Sequence, residues 1–155
     1  MVKKIVLWTL VIGCMVMIFS FSAQPAKNSM DLSDGLLNRL LDFLHIDLAE
    51  ETVLFMRMFI RKIAHFCVYM LLGFLWYLLL KVGYTIKDRT AVYLSTMVCA
   101  LYAASDEVHQ LFVPGRSGMI KDVFIDTSGA VCGIAAAWAV CCIIGVLKKR
   151  RRKNG

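Results

Sequence analysis

The stretch from Ile60 to Leu80 reads IRKIAHFCVYMLLGFLWYLLL, and its reading decides the fold. After Lys62, no Asp, Glu, Lys or Arg occurs until Lys81. A hydrocarbon core about 30 Å thick is crossed by roughly 20 helical residues, so an uncharged run of this length specifies a membrane-spanning helix. A helix also satisfies its own backbone groups where lipid offers no partner. Upstream, a helical pattern begins near Ala49 and runs continuously into this span.

Three further runs of the same kind lie outside it. Residues 5–21 follow Lys3 and Lys4. Residues 90–105 are short and extended by their flanks, and residues 123–147 end at the basic run Lys148–Lys153. The first run has the basic start and small following residues of a signal peptide. Its length favours a retained anchor instead. Between the first two spans, Leu36, Leu37, Leu40, Leu41, Phe43 and Leu44 recur at helical spacing, with Asp31, Ser33 and Asp34 as candidate N-caps. Residues 34–46 are therefore expected to form an amphipathic helix, lying in the membrane interface or packed on the bundle. The expectation is an all-α, polytopic four-transmembrane-helix bundle with an outer amphipathic helix, one domain over residues 1–155.

Composition agrees. The chain has 155 residues, 59% of them hydrophobic, with a mean hydropathy of +0.68. The net charge of +7 does not imply nucleic acid, because the densest basic run directly follows an apolar helix. Membrane orientation and anionic headgroups explain a cluster placed there. With the N-terminus inside, the cytoplasmic side carries Lys3, Lys4, Lys81, Lys87, Arg89 and the basic tail, and an even number of spans returns the C-terminus to that side. The expectation is an inner-membrane protein with both termini cytoplasmic. Arg57, Arg61 and Lys62 oppose the charge rule and need another reason. The six cysteines all fall in apolar segments without C-x-x-C spacing, so they read as small buried hydrophobes rather than disulfides or zinc ligands.

The unusual residues gather in the outer half. Arg61, His65 and Tyr69 share one helix face, and Asp122, Asp126, Gly129 and Gly133 share another. Between them stand Asp106, Glu107, His109 and Gln110, then the Pro114-Gly115 turn signal and Arg116. Ionisable groups at membrane depth pair, line a cavity or do chemistry. Arg61 with Asp122 or Asp126 is a candidate structural ion pair, and Gly129 with Gly133 forms the G-x-x-x-G of close helix contact. Asp106, Glu107, His109, His65 and Asp126 are the candidates for acid–base chemistry. Asp106, Glu107 and His109 with Asp122 or Asp126 also offer ligands to a hard divalent cation. No spacing matches a metal or nucleophile motif such as H-E-x-x-H or G-x-S-x-G, so neither a metal nor a cofactor is assigned. The candidate ligand-binding set is Gln24, Arg61, Lys62, His65, Tyr69, Asp106, Glu107, His109, Gln110, Arg116, Asp122 and Asp126.

These blocks resemble the VanZ-like membrane proteins. The matching stretches are Phe21-Ser22-Ala23-Gln24, Arg61-Lys62-Ile63-Ala64-His65-Phe66 with Tyr69, Leu72 and Gly73, and Ser105-Asp106-Glu107-Val108-His109-Gln110. Pro114-Gly115-Arg116 and Asp122-Val123 with Asp126-Thr127-Ser128-Gly129 complete them. The resemblance implies a bacterial cell-membrane protein associated with low-level resistance to teicoplanin, and it brings no catalytic roles with it. Three functions stay open. The leading one is an outer polar pocket that engages an envelope amphiphile, meaning a membrane lipid, a lipid-linked wall precursor or a lipoglycopeptide. The others are an enzyme, a hydrolase or transferase on a lipid-linked phosphate or glycan, and a scaffold for wall-synthesis proteins. A transporter fits least, since the inner half lacks polar residues to line a pathway.

Overall fold

The computed structural model describes residues 1–25 and 49–153, together with the isolated positions 35, 37, 39 and 43. Apart from those four positions, the amphipathic segment expected over residues 34–46, with its candidate caps, lies outside the described residues. Among the described residues the protein is built from four helices: α1 Val2–Ser22, α2 Glu50–Leu78, α3 Asp88–Gln110 and α4 Ile120–Lys153.

Each helix has a sequence reason. α1 is apolar from Ile5 onward, and its buried positions Val11, Cys14, Ile18 and Ser22 trace one stripe along the bundle. It ends at Ala23, two residues before Pro25, which has no N–H with which to continue a helix. α2 starts where the sequence places it, with Glu50 and Glu51 in its first turn beside the positive end of the helix dipole. It closes with a single π-turn, Leu79–Gly83. From Glu50 to Gly83 it is about 50 Å long at 1.5 Å per residue, so its first turns project beyond a hydrocarbon core. In α3 the buried residues Ala91, Ser95, Cys99 and Ala103 recur every fourth position, a seam of small side chains.

Three of these helices are long and apolar enough to cross a membrane: Val2–Ser22, Glu50–Gly83 and Ile120–Arg152. α3, the expected span over residues 90–105, is longer than expected but less apolar. Thr90, Tyr93, Ser95, Thr96, Tyr102 and Ser105 interrupt its hydrophobic residues. The surface is otherwise that of a lipid-facing protein, with Tyr93, Leu101, Phe124 and Ile143 all more than half exposed.

The helices alternate in direction. At one end Trp8 Nε1 donates to the Tyr84 hydroxyl at 3.0 Å, Lys4 lies over the Tyr84 ring, and Lys81 and Tyr77 both bond Asp88. At the other end the last turn of α1 meets the last turn of α3, and Lys62 of α2 pairs with Asp122 of α4. α2 and α4 make the closest contact. A Cβ built on Gly129 would overlap the Phe66 carbonyl, one on Gly133 the Met70 carbonyl, and one on Gly73 the Ala130 carbonyl. The close helix contact expected from G-x-x-x-G is therefore present, and α2 supplies a third glycine to it.

Candidate functional site

All four helices contribute polar side chains to one end of the bundle. Asp106, Glu107 and Gln110 lie on the last turn of α3, at most 6% exposed, and Ser22 and Asp126 are fully buried. Gln110 is the hub. Its amide nitrogen donates to Asp106 Oδ2 at 3.3 Å and Glu107 Oε1 at 3.3 Å, and its carbonyl oxygen accepts from Arg61 at 3.4 Å. Ser22 Oγ donates to Asp106 Oδ2 at 2.8 Å, which fastens the end of α1 to α3. Glu107 Oε2 accepts from the Met119 amide at 2.8 Å.

The loop after α3 is organised by its turn residues. The Arg116 amide donates to the Val113 carbonyl at 3.1 Å, and Gly115 has φ 75°. This is a type II arrangement, with Pro114 at the second position and glycine where φ must be positive. Gly118 lies against the Glu107 carbonyl, where a Cβ would come within 2.5 Å. The turn carries Arg116 back to the end of α1, where it donates to the Phe21 and Gln24 carbonyls, each at 2.8 Å. A guanidinium is well placed on the unpaired carbonyls of a helix C-terminus. Burial, with Arg61 nearby, pushes the Arg116 guanidinium down to about 10, so it remains charged at neutral pH.

Several pairings differ from those expected. Arg61 does not pair with Asp122 or Asp126. Its neighbour Lys62 takes Asp122, and Arg61 turns to Gln110. Asp126 instead faces His65, with Nδ1 and Oδ2 3.6 Å apart, beyond hydrogen-bond range. Neither Asp126 oxygen has a hydrogen-bond partner among the described residues. His109 leaves the cluster, its ring stacked on Phe19 at 4.5 Å between centroids. Tyr69 is buried in the apolar core, its hydroxyl without a hydrogen bond among the described residues. Gln24 takes part through its backbone carbonyl. Ser22 and the Met119 amide are partners that the sequence reading did not name as site groups. A hydroxyl in the last turn of an apolar helix was the available signal for Ser22, whereas nothing in the sequence marks a backbone amide.

Arg61, Lys62, His65, Glu107, Gln110, Asp122, Ile125 and Asp126 line a pocket with an empty volume of about 260 Å³, open solvent included. The enclosed cavity within it is only about 20 Å³, room for about one water-sized group, against roughly 300 Å³ where sites for drug-sized ligands start. The pocket therefore suits a small polar group rather than a whole lipoglycopeptide.

With this geometry in view, the comparison with known families is decisive. The VanZ/LLP1 family model matches residues 7–144, from the first helix into the last. The chain belongs to the VanZ/LLP1 family. Together with its long apolar helices, this makes it a VanZ-like membrane protein. No curated protein and no solved structure gives a significant match. The VanZ/LLP1 match contains the whole polar cluster, from Ser22 to Asp126, and the glycines that bring α2 against α4.

Proposed function

We propose that this VanZ/LLP1 protein is a four-span protein of the bacterial cell membrane whose outward pocket binds the anionic headgroup of an envelope amphiphile, a role tied to glycopeptide (teicoplanin) tolerance. α3 is the fourth span, since 23 residues reach about 34 Å at 1.5 Å per residue. Its packing among the other helices supports this. Both termini are cytoplasmic, because the basic residues at the non-pocket end then obey the positive-inside rule.

The observation that carries the proposal is the pocket itself, with Arg61 and Lys62 on its wall at the end away from the basic tail. These two cations explain why α2 breaks the charge rule on its outer side. Guanidinium and ammonium groups on a small cavity suit a phosphate or carboxylate. The enzyme reading draws on a different observation, the close approach of His65 and Asp126, a pair suited to proton transfer.

The test is teicoplanin susceptibility of a sensitive Gram-positive host carrying equal membrane levels of wild type, Arg61→Gln or Glu107→Gln. Protection by wild type that both variants lose supports the pocket. Equal protection by all three removes the pocket from the function and favours a scaffold. Release of product from a lipid-linked phosphate by purified wild type, lost in His65→Gln, would favour the enzyme.

A further inference from the structure

Among the described residues, Asp126 is a fully buried carboxylate with neither oxygen hydrogen-bonded. An ionised carboxylate without partners is among the costliest groups to bury, and buried charges are normally paired or bound to a metal. Asp126 also has specific company. One ligand atom each from His65, Asp106 and Asp126 lie within 4.8 Å of one another.

We infer that His65, Asp106 and Asp126 form the binding site of one divalent transition-metal cation. Each donor is held in a way that suits this. His65 presents Nδ1 toward Asp126 from one turn below Arg61. The bonds from Ser22 and Gln110 to Asp106 both fall on Oδ2, so they orient the carboxylate without using Oδ1. Outer partners of this kind commonly fix metal ligands. Glu107 is a poorer ligand, because Gln110 and the Met119 amide already occupy one oxygen each.

Charge points the same way. Four carboxylates gather here, Asp106, Glu107, Asp122 and Asp126, against the two cations Arg61 and Lys62. Arg116 gives two of its donors to backbone carbonyls but adds a third positive charge near enough to act on Asp106 and Glu107. The acids still outnumber these three cations, and a bound metal cation offsets the excess. One imidazole with two carboxylates is a mixed donor set, which favours Zn²⁺ or Mn²⁺ over the all-oxygen shells of Ca²⁺ and Mg²⁺. Metal–ligand distances near 2.1 Å require the three side chains to draw together slightly from their present separation. Three protein ligands leave further coordination positions open.

The inference does not depend on the proposed headgroup role, since ion binding is read without lipid substrate. The experiment uses the full chain in detergent micelles, without a polyhistidine tag, stripped with EDTA and then titrated with Zn²⁺ or Mn²⁺ by calorimetry. Bound metal is counted by elemental analysis, and the thermal midpoint is read with and without the ion. Wild type is expected to take one ion per chain and to melt higher with it. Asp126→Asn and His65→Gln are expected to lose affinity on the order of 100-fold, at or beyond the 10–100-fold typical of losing an outer partner. His109→Gln is expected to bind as wild type does. The inference is overturned by a stripped wild type that takes up neither ion. It is equally overturned by undiminished binding in both Asp126→Asn and His65→Gln, which would assign the ion to other donors. Should one of these two variants fail to fold, the other decides.

Discussion

Substitution of Gly133 by Ala tests whether backbone contact between α2 and α4 holds the bundle together. A Cβ at this position overlaps the Met70 carbonyl oxygen and would lie 2.7 Å from its carbon and 3.0 Å from the Phe74 amide nitrogen. All three atoms are backbone, so no side chain can rotate to make room and the helices must separate. Overpacking of this kind costs about 1–3 kcal/mol. Against it stands the better helix propensity of Ala, worth up to about 1 kcal/mol. The net expectation is a loss of about 1–2 kcal/mol. Gly145, on the same helix, is the control: nothing lies within 4 Å of a Cβ there, so Gly145→Ala should be neutral or stabilising by up to about 1 kcal/mol. Unfolding by SDS in mixed micelles, followed by tryptophan fluorescence, measures both. A Gly133→Ala protein as stable as wild type would refute the reasoning. So would a Gly145→Ala protein that is equally destabilised, because propensity or lipid exposure would then govern both sites.

Tyr102→Phe removes the hydroxyl that donates to the Met15 carbonyl at 2.7 Å, and the same titration should report a loss of about 0.5–1.5 kcal/mol with the spectrum unchanged. Lys62→Gln breaks the pair with Asp122, whose members are 41% and 25% exposed. Solvent screening should hold that loss to about 1 kcal/mol or less, and a larger one would mean the pair organises the pocket. Asp126→Asn in EDTA should raise the thermal midpoint, because it removes a buried carboxylate whose oxygens accept no hydrogen bond among the described residues and whose facing imidazole is 3.6 Å away. A lowered midpoint would instead make Asp126 the stabilising partner of a protonated His65.

How far the sequence could be read depended on scale. Runs without charge revealed three helices of spanning length, and the start of α2 near Ala49 was legible because Glu50 opens a helical pattern without a break. The end of α3 was not. The flanks extend the 90–105 run without marking an end, and the helix runs through Gln110, where the carboxylates and amide turn into the bundle. The same segment explains why His109 lies apart from Asp106, Glu107 and Gln110, stacked on Phe19. At about 100° per residue, Gln110 and Glu107 lie about 40° and 100° to one side of Asp106, and His109 lies about 60° to the other. That division was available in the sequence, but reading the block as one cluster hid it. The choice between Arg61 and Lys62 was of another kind. Adjacent residues both line the pocket, and the lysine meets Asp122 while Arg61 is turned to Gln110.

Packing and the polar cluster are not separate features of this bundle. Gly129 sits against the Phe66 carbonyl, and Phe66 immediately follows His65. Asp126 precedes Gly129 by three residues, on the turn above and on the same side of α4. The contact that sets the α2–α4 distance therefore also sets the distance from His65 to Asp126. At Gly133 the contact lies one turn further from the site, on Met70. In a membrane, where burying apolar surface gives helices little reason to associate, close backbone packing has to supply the adhesion. The glycine seam thus does two things at once. It brings α2 and α4 together without large side chains, and it carries two charged faces to a separation that neither helix could define alone. Buried carboxylates are tolerable at that end only because the same seam delivers Lys62 to Asp122 and His65 toward Asp126.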